Sequence, residues 1–211
     1  MAPKQARSRE SLNRLLRAAV EVLGQQCLAG TTIPRIAAHA GLTPGAVYRR
    51  FHNKEVLLQT AILRILEDQS KVLLLSLPIE TAAQIPFAAL AEQIINTLVL
   101  SYRVNAGLLR AIRQFLQDNE GTLFWKRASK LEMQTFEYLI SVLTRRREIR
   151  HPDPRAAAAL GLVMVMGALW EIVVTPGDAK VWKALMPKDD RSLKRELVRS
   201  FLNYLGCEQK E

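Results

Sequence analysis

The chain has 211 residues, 49% of them hydrophobic and 24% charged, with a formal net charge of +10; that length buries a core without disulfides, in one large or two small domains. Its two cysteines, Cys27 and Cys207, lie far apart and fit no metal-ligand spacing, which excludes a disulfide scaffold and favours a reduced, cytoplasmic protein. Residues 1–60 hold nine Lys or Arg against three acids and the remainder 21 against 17, so positive charge is densest at the N-terminal end.

The chain opens on MAPKQARSRE, which has no apolar core and is expected to form neither a secretion signal nor an anchor. Residues 1–9 read as a basic arm in which Lys4, Arg7 and Arg9 either settle on phosphates or in a minor groove, or merely solubilise the chain; both readings stay open. An apolar helix follows over residues 12–28, and Cys27 on it reads as buried and inert.

The most informative stretch is TIPRIAAHAGLTPGAVYRRFHNKEVLL, residues 32–58. Thr32 is placed to cap a short helix that has Pro34 in its first turn, and Gly41 ends that helix, with Ala37 small enough for a close helix crossing. Thr43 caps a second helix, with Pro44 in its first turn, and Asn53 caps a third. On the second helix Val47 and Phe51, four apart, share a face with Leu42, while Gly45 and Arg49 lie opposite. Such a helix, turn and helix suits the reading of double-stranded DNA.

The free face carries the chemistry a major groove asks for. Arg49 can donate a bidentate pair to guanine O6 and N7, Thr43 can bond a phosphate or a base edge, and Pro44 and Gly45 let the helix start come close to the bases. Tyr48 at the boundary, His52 and Lys54 at the next helix start, and Thr32 and Arg35 at the entry of the first are the candidates for phosphate.

These residues resemble the DNA-binding domain of the tetracycline-repressor (TetR) family of bacterial transcription regulators. The resemblance rests on residues 31–58 and the helix before them, with Thr32, Ile36 and Ala37, Ala40 and Gly41, Tyr48, Phe51 and Lys54 at the family's spacings. One departure stands out: where the family usually has glycine and then an aromatic near the end of the first helix, this chain has Cys27 and Leu28. The domains expected are the arm at 1–9, a helix-turn-helix domain at 10–58 and a helical effector-binding and dimerisation domain at 59–211.

Beyond residue 53 the apolar spacings of three and four predict helices to the C-terminus, giving an all-α fold. They are expected over residues 53–77, 81–103, 107–119, 122–147, 154–174 and 191–205, with HPDP at 151–154, Pro176-Gly177 and Pro187 as breaks. The run AAAALGLVMVMGALW, residues 156–170, is shorter than the about 20 residues a bilayer requires. It reads as a core helix hydrophobic on all sides, and small residues Ala157, Gly161 and Ala168 leave room for a partner helix.

The resemblance implies more. The last two helices, 156–170 and 191–205, would pair with their copies in a four-helix bundle, setting two recognition helices about 34 to 36 Å apart on a palindromic operator. A small-molecule pocket would lie in the helical domain; Tyr102, Phe115, Trp125, Met133, Phe136 and Trp170 are its candidate lining and a mostly apolar effector its candidate ligand. Aromatics and methionines at helical spacing are equally the ordinary furniture of a core.

No metal, cofactor or catalytic constellation is expected. Arg145 to Arg147 suit a helix C-terminus, Asp189 and Asp190 suit a helix cap rather than a metal pair, and His39 and His151 stand apart from any nucleophile. The function expected is a DNA-binding transcriptional regulator, a homodimeric repressor released by its ligand and without membrane attachment. The alternative is an all-helical small-molecule-binding or scaffold protein whose helix-turn-helix has lost DNA affinity.

Overall fold

A computed structural model describes residues 3–145, 148–175 and 183–207; Arg146, Arg147, Pro176 and Gly177 lie outside them. Among the described residues every regular element is helical. In chain order these are α1 (Pro3–Gly30), α2 (Ile33–His39), α3 (Pro44–Tyr48), α4 (Lys54–Ser76), α5 (Ile79–Ala82), α6 (Phe87–Asp118), α7 (Leu123–Thr144), α8 (Pro154–Leu169) and α9 (Asp190–Tyr204). A π-helical turn, Trp170–Val174, continues α8, and a 3₁₀ turn, Lys183–Leu185, precedes α9.

The chain divides into two compact units, Met1–Lys71 with Gly107–Glu132, and Val72–Ala106 with Met133–Glu211. The first unit therefore holds more than the helix-turn-helix: the C-terminal part of α6 and the start of α7 belong to it. It carries sixteen Lys and Arg against eight acids, a net +8 of the chain's +10.

In the first unit Leu15, Ala19, Val22 and Leu23 of α1, Ile36 and Ala37 of α2, Val47 of α3 and Leu57, Leu58 and Ile62 of α4 form a buried core with Leu108, Ile112 and Phe115 of α6. The three- and four-residue spacing within each helix is what turns these side chains to one side. Residues 3–9, expected as an arm, continue α1 as helix. Near the other end of α1 the backbone breaks at Cys27, with φ 54° and ψ 179°, a conformation that favours glycine. Buried Thr31 donates its hydroxyl to the Cys27 carbonyl at 2.6 Å. Because the helix is interrupted there, the Cys27 side chain is exposed, correcting the expectation of a buried one.

In the second unit Ala157, Ala158, Leu162, Val165 and Leu169 on one side of α8 share a core with Leu90, Ile94, Ile95 and Val99 of α6, Ile140 and Leu143 of α7, and Leu193, Leu197, Phe201 and Leu202 of α9. Asp153 caps α8 by accepting from Ala156 N–H at 2.9 Å, and Asp189 caps α9 by accepting from Ser192 N–H at 2.8 Å. The segment Pro154–Val174 is long and apolar enough to cross a membrane by length and composition, and 44% of its apolar 18-residue window is buried in the fold. A Cβ on Gly161 would stand 2.8 Å from the Phe201 ring. Ala157 and Gly161 are buried within the chain, so they serve α8's own packing and not, as expected, a partner helix.

Two helix boundaries differ from the sequence reading. Residues 87–118 form one helix, kinked at Asn105 (φ −108°, ψ 15°), whose side chain donates to the Ser101 carbonyl; the helix expected to begin anew at Gly107 is its continuation. Residues 79–82 are a separate short turn, because Pro86 places the start of α6 at Phe87.

Candidate nucleic-acid interface

The joints of the helix-turn-helix are made by local hydrogen bonds. Thr32 Oγ1 accepts from Arg35 N–H at 3.4 Å, Thr43 Oγ1 from Ala46 N–H at 3.2 Å and Asn53 Oδ1 from Val56 N–H at 2.9 Å, so three helix starts are fixed by their capping side chains. Gly41, at φ +65°, turns the chain between α2 and α3, and Leu42 N–H then reaches back to the Ala37 carbonyl at 2.8 Å. That pairing satisfies a carbonyl the end of α2 would otherwise leave open.

Helix α3 is only five residues long, and its two faces are sharply divided. Val47 is fully buried and Phe51 8% exposed, with Leu42 packed against the same core. Thr43, Pro44, Gly45, Tyr48 and Arg49 are exposed. A Cβ on Gly45 would meet nothing within 4 Å, so among the described residues no group crowds the start of the helix at this position. Arg49 has no partner among the described residues, whereas Arg50 donates to the Ser8 carbonyl at 3.2 Å and to Ser8 Oγ at 3.4 Å.

The phosphate candidates fall into two groups. Tyr48 is 57% exposed, His52 is exposed and Lys54 half-buried at the first turn of α4, around the amides that helix start presents. Arg35 is turned the other way: its Nη1 donates to Gly30 O at 2.9 Å and Gln26 Oε1 at 3.2 Å, tying α2 to the end of α1. His39 is bound to Glu21 across α2 and α1, with Nε2 2.6 Å from Oε2. Neither the Arg35 nor the His39 tie is evident from sequence spacing, because both depend on how α1 crosses α2.

The effector-pocket candidates are divided between the units. Phe115 is buried and packs edge-to-face on Phe124, ring centroids 5.4 Å apart, and Trp125 is half-buried on α7 in the same unit. Tyr102, Met133, Phe136 and Trp170 belong to the second unit, where Tyr102 and Phe136 pack against its core and Met133 is 60% exposed. A cleft of about 380 Å³ lies elsewhere, between α1 and α4, over Leu16, Val20, Ala61 and Ile65 with Arg17, Glu21, Arg64 and Asp68 at its rim. Among the described residues no cluster of His, Cys, Asp and Glu is arranged to hold a metal ion.

Residues 15–61 match the model of the bacterial regulatory proteins of the tetR family. No curated protein matches the sequence. Solved structures match over nearly the whole chain. A putative TetR-family transcriptional regulator from Mesorhizobium loti is 20% identical, with 93% of this chain and 97% of that chain covered and a TM-score of 0.71. The transcriptional regulator FadR from Bacillus subtilis, in complex with stearoyl-CoA, is 19% identical, with 90% and 97% covered and a TM-score of 0.63. The multidrug binding protein EbrR, complexed with ethidium, is 17% identical, with 94% and 99% covered and a TM-score of 0.59. Residues 15–61 are thus a TetR-family helix-turn-helix domain, carried on a chain with the all-helical fold of TetR-family transcriptional regulators.

Proposed function

We propose that the protein is a homodimeric, ligand-responsive repressor that reads a palindromic operator through α3. One observation carries this reading: the outward face of α3, with Thr43, Pro44, Gly45 and Arg49, is exposed, and Arg49 has no partner among the described residues, while the opposite face is locked into the core by Val47 and Phe51. A rigid helix with a free guanidinium and an unobstructed glycine suits bidentate base reading. Tyr48, His52 and Lys54 fix the register on phosphate, joined by Thr32; Arg35, engaged with α1, plays at most an auxiliary part.

Dimerisation is assigned to α8 and α9. On α8 the residues Ala156, Leu160, Val163, Met164 and Gly167 are exposed at spacings of three and four, an apolar stripe that a second copy would cover. The outward side of α9, with Arg195, Glu196, Arg199 and Asn203 exposed, supplies a polar rim. The effector is proposed to be a mostly apolar small molecule bound in the second unit near Tyr102, Met133, Phe136 and Trp170. FadR is in complex with stearoyl-CoA, which carries a long apolar acyl chain on a charged coenzyme, and EbrR is complexed with ethidium, a flat aromatic cation, so ligands with a large apolar part are bound on this fold. To derepress, such a ligand must bind the DNA-incompetent state more tightly than the DNA-competent one.

The test is selection of bound fragments from the source genome, followed by equilibrium binding at several salt concentrations. The repressor reading predicts a two-fold symmetric site and an affinity that falls steeply with salt. Binding with no sequence preference and no salt dependence would leave the helix-turn-helix as a scaffold element only.

A further inference from the structure

The adjacent arginines at the end of α3 have different tasks. Arg49 has no partner among the described residues, and the guanidinium of Arg50 reaches 42 residues back to Ser8, donating to its carbonyl at 3.2 Å and its hydroxyl at 3.4 Å. Ser8 sits in the first turns of α1, where residues 5–10 are all exposed. A helix end that buries no apolar side chain frays unless something else holds it. Arg50 is such a hold, and what it holds is basic: Arg7, next to Ser8, is exposed and has no partner among the described residues. The tether therefore keeps a free cation beside the C-terminal end of the recognition helix.

We propose that Arg50 is a positioning residue for DNA binding: it clamps the N-terminal turns of α1 to the end of α3 through Ser8 and so presents Arg7 to the phosphates flanking each half-site. The proposal rests on the DNA-reading role of α3 given above. In this arrangement Arg50 carries no base preference of its own. Arg7 adds a backbone contact outside the major-groove footprint, which lengthens the protected segment without altering the sequence read. Freed from Ser8, the first turns of α1 lose their place and the Arg7 contact goes with them.

The experiment is a double-mutant cycle on the full-length protein and a selected operator, with affinity measured across a salt series for Arg7→Ala, Arg50→Ala, the double variant and Arg50→Lys. Each alanine variant is expected to lower the salt slope by about 0.9 per half-site, the share of one phosphate contact. The double variant should lower it no further, and Arg50→Lys, which keeps a donor for the Ser8 carbonyl, should retain most of the slope. Base preference and melting temperature should be unchanged throughout, which separates a clamp from a fold defect. Additive losses would make Arg50 an independent phosphate ligand and overturn the clamp, as would a changed base preference in Arg50→Ala or an unaltered slope in either single variant. Absence of salt-dependent, sequence-specific binding by the unaltered protein would instead bring down the repressor reading, and the clamp with it.

Discussion

A Cβ on Gly107 would stand 2.3 Å from the carbonyl oxygen of Gly24, so α6 and α1 cross with their backbones in contact. The reverse side of the crossing is nearly as close, since a Cβ on Gly24 would lie 3.3 Å from Cβ of Leu108. Two glycines more than eighty positions apart thus fix where α1, the scaffold of the helix-turn-helix, meets the rest of its unit. The obstacle at Gly107 is backbone, which has no rotamer by which to retreat.

Gly107→Ala is therefore expected to destabilise the protein by about 1 to 3 kcal/mol, the usual range for overpacking a closed contact. Urea denaturation would measure it. Gly45→Ala is the matching control on α3: its added methyl meets nothing within 4 Å and should leave the fold as stable or slightly more so. Operator affinity, in contrast, should fall if α3 reads bases as proposed, because the added methyl would then stand between the helix and the bases.

Cys27 holds a backbone conformation that favours glycine, and glycine is the residue the family usually has near this place. Such strain costs about 1 to 3 kcal/mol, offset in a glycine variant by about 0.5 to 1 kcal/mol of extra unfolded-state freedom. Cys27→Gly should raise stability by about 1 kcal/mol on balance, read as a higher denaturant midpoint with an unchanged slope. In the unaltered protein Cys27 should react first with a thiol reagent. It is exposed, whereas burial, and then the charge of Glu148, pushes the Cys207 thiol up.

Asp189 links the start of α9 to pH. Its carboxylate accepts from the Ser192 N–H, the largest of the influences that hold its pKa below the ordinary 3.8. A depressed folded-state pKa means that the unfolded chain takes up the proton first, so the stabilisation is complete above the ordinary carboxylate range and disappears as pH falls through the folded value. Asp189→Ala should lower the melting temperature at neutral pH, and the difference from the unaltered protein should shrink as the pH is taken below that range.

The stripe on α8 makes a prediction about assembly. Leu160 and Met164 are 49% and 44% exposed, so Leu160→Glu with Met164→Glu should leave helix content intact while converting dimer to monomer in sedimentation. A monomer meets only one half-site, and operator binding should weaken accordingly. A double variant that stays dimeric would move the interface off this face.

What was legible in the sequence was what chain neighbours decide. The caps at Thr32, Thr43 and Asn53 and the positive φ of Gly41 are settled within about five residues of each position, so the helix-turn-helix reads off directly. Gly107 and Gly161 were misread for the opposite reason. One looked like a helix start and the other like room for a partner, but both answer to side chains or backbone distant in sequence, at Gly24 and at Phe201. The aromatic residues suffered the same ambiguity: spacing gives the face of a helix but not the unit it faces, and Phe115 went into the core it shares with α1 to α4. Cys27 was misplaced because apolar periodicity presumes a continuous helix, and the helix breaks at that residue.

Base reading by α3 is tested most directly by comparing Arg49→Ala with Lys54→Ala on a selected operator and on its set of single-base variants. Arg49→Ala should cost about 1 to 3 kcal/mol and flatten the preference at one symmetric base position. Lys54→Ala should weaken every sequence alike and reduce the salt slope by about one unit per half-site. Equal losses for the two variants, with base preference untouched in both, would contradict the assignment of α3 as the element that reads the operator.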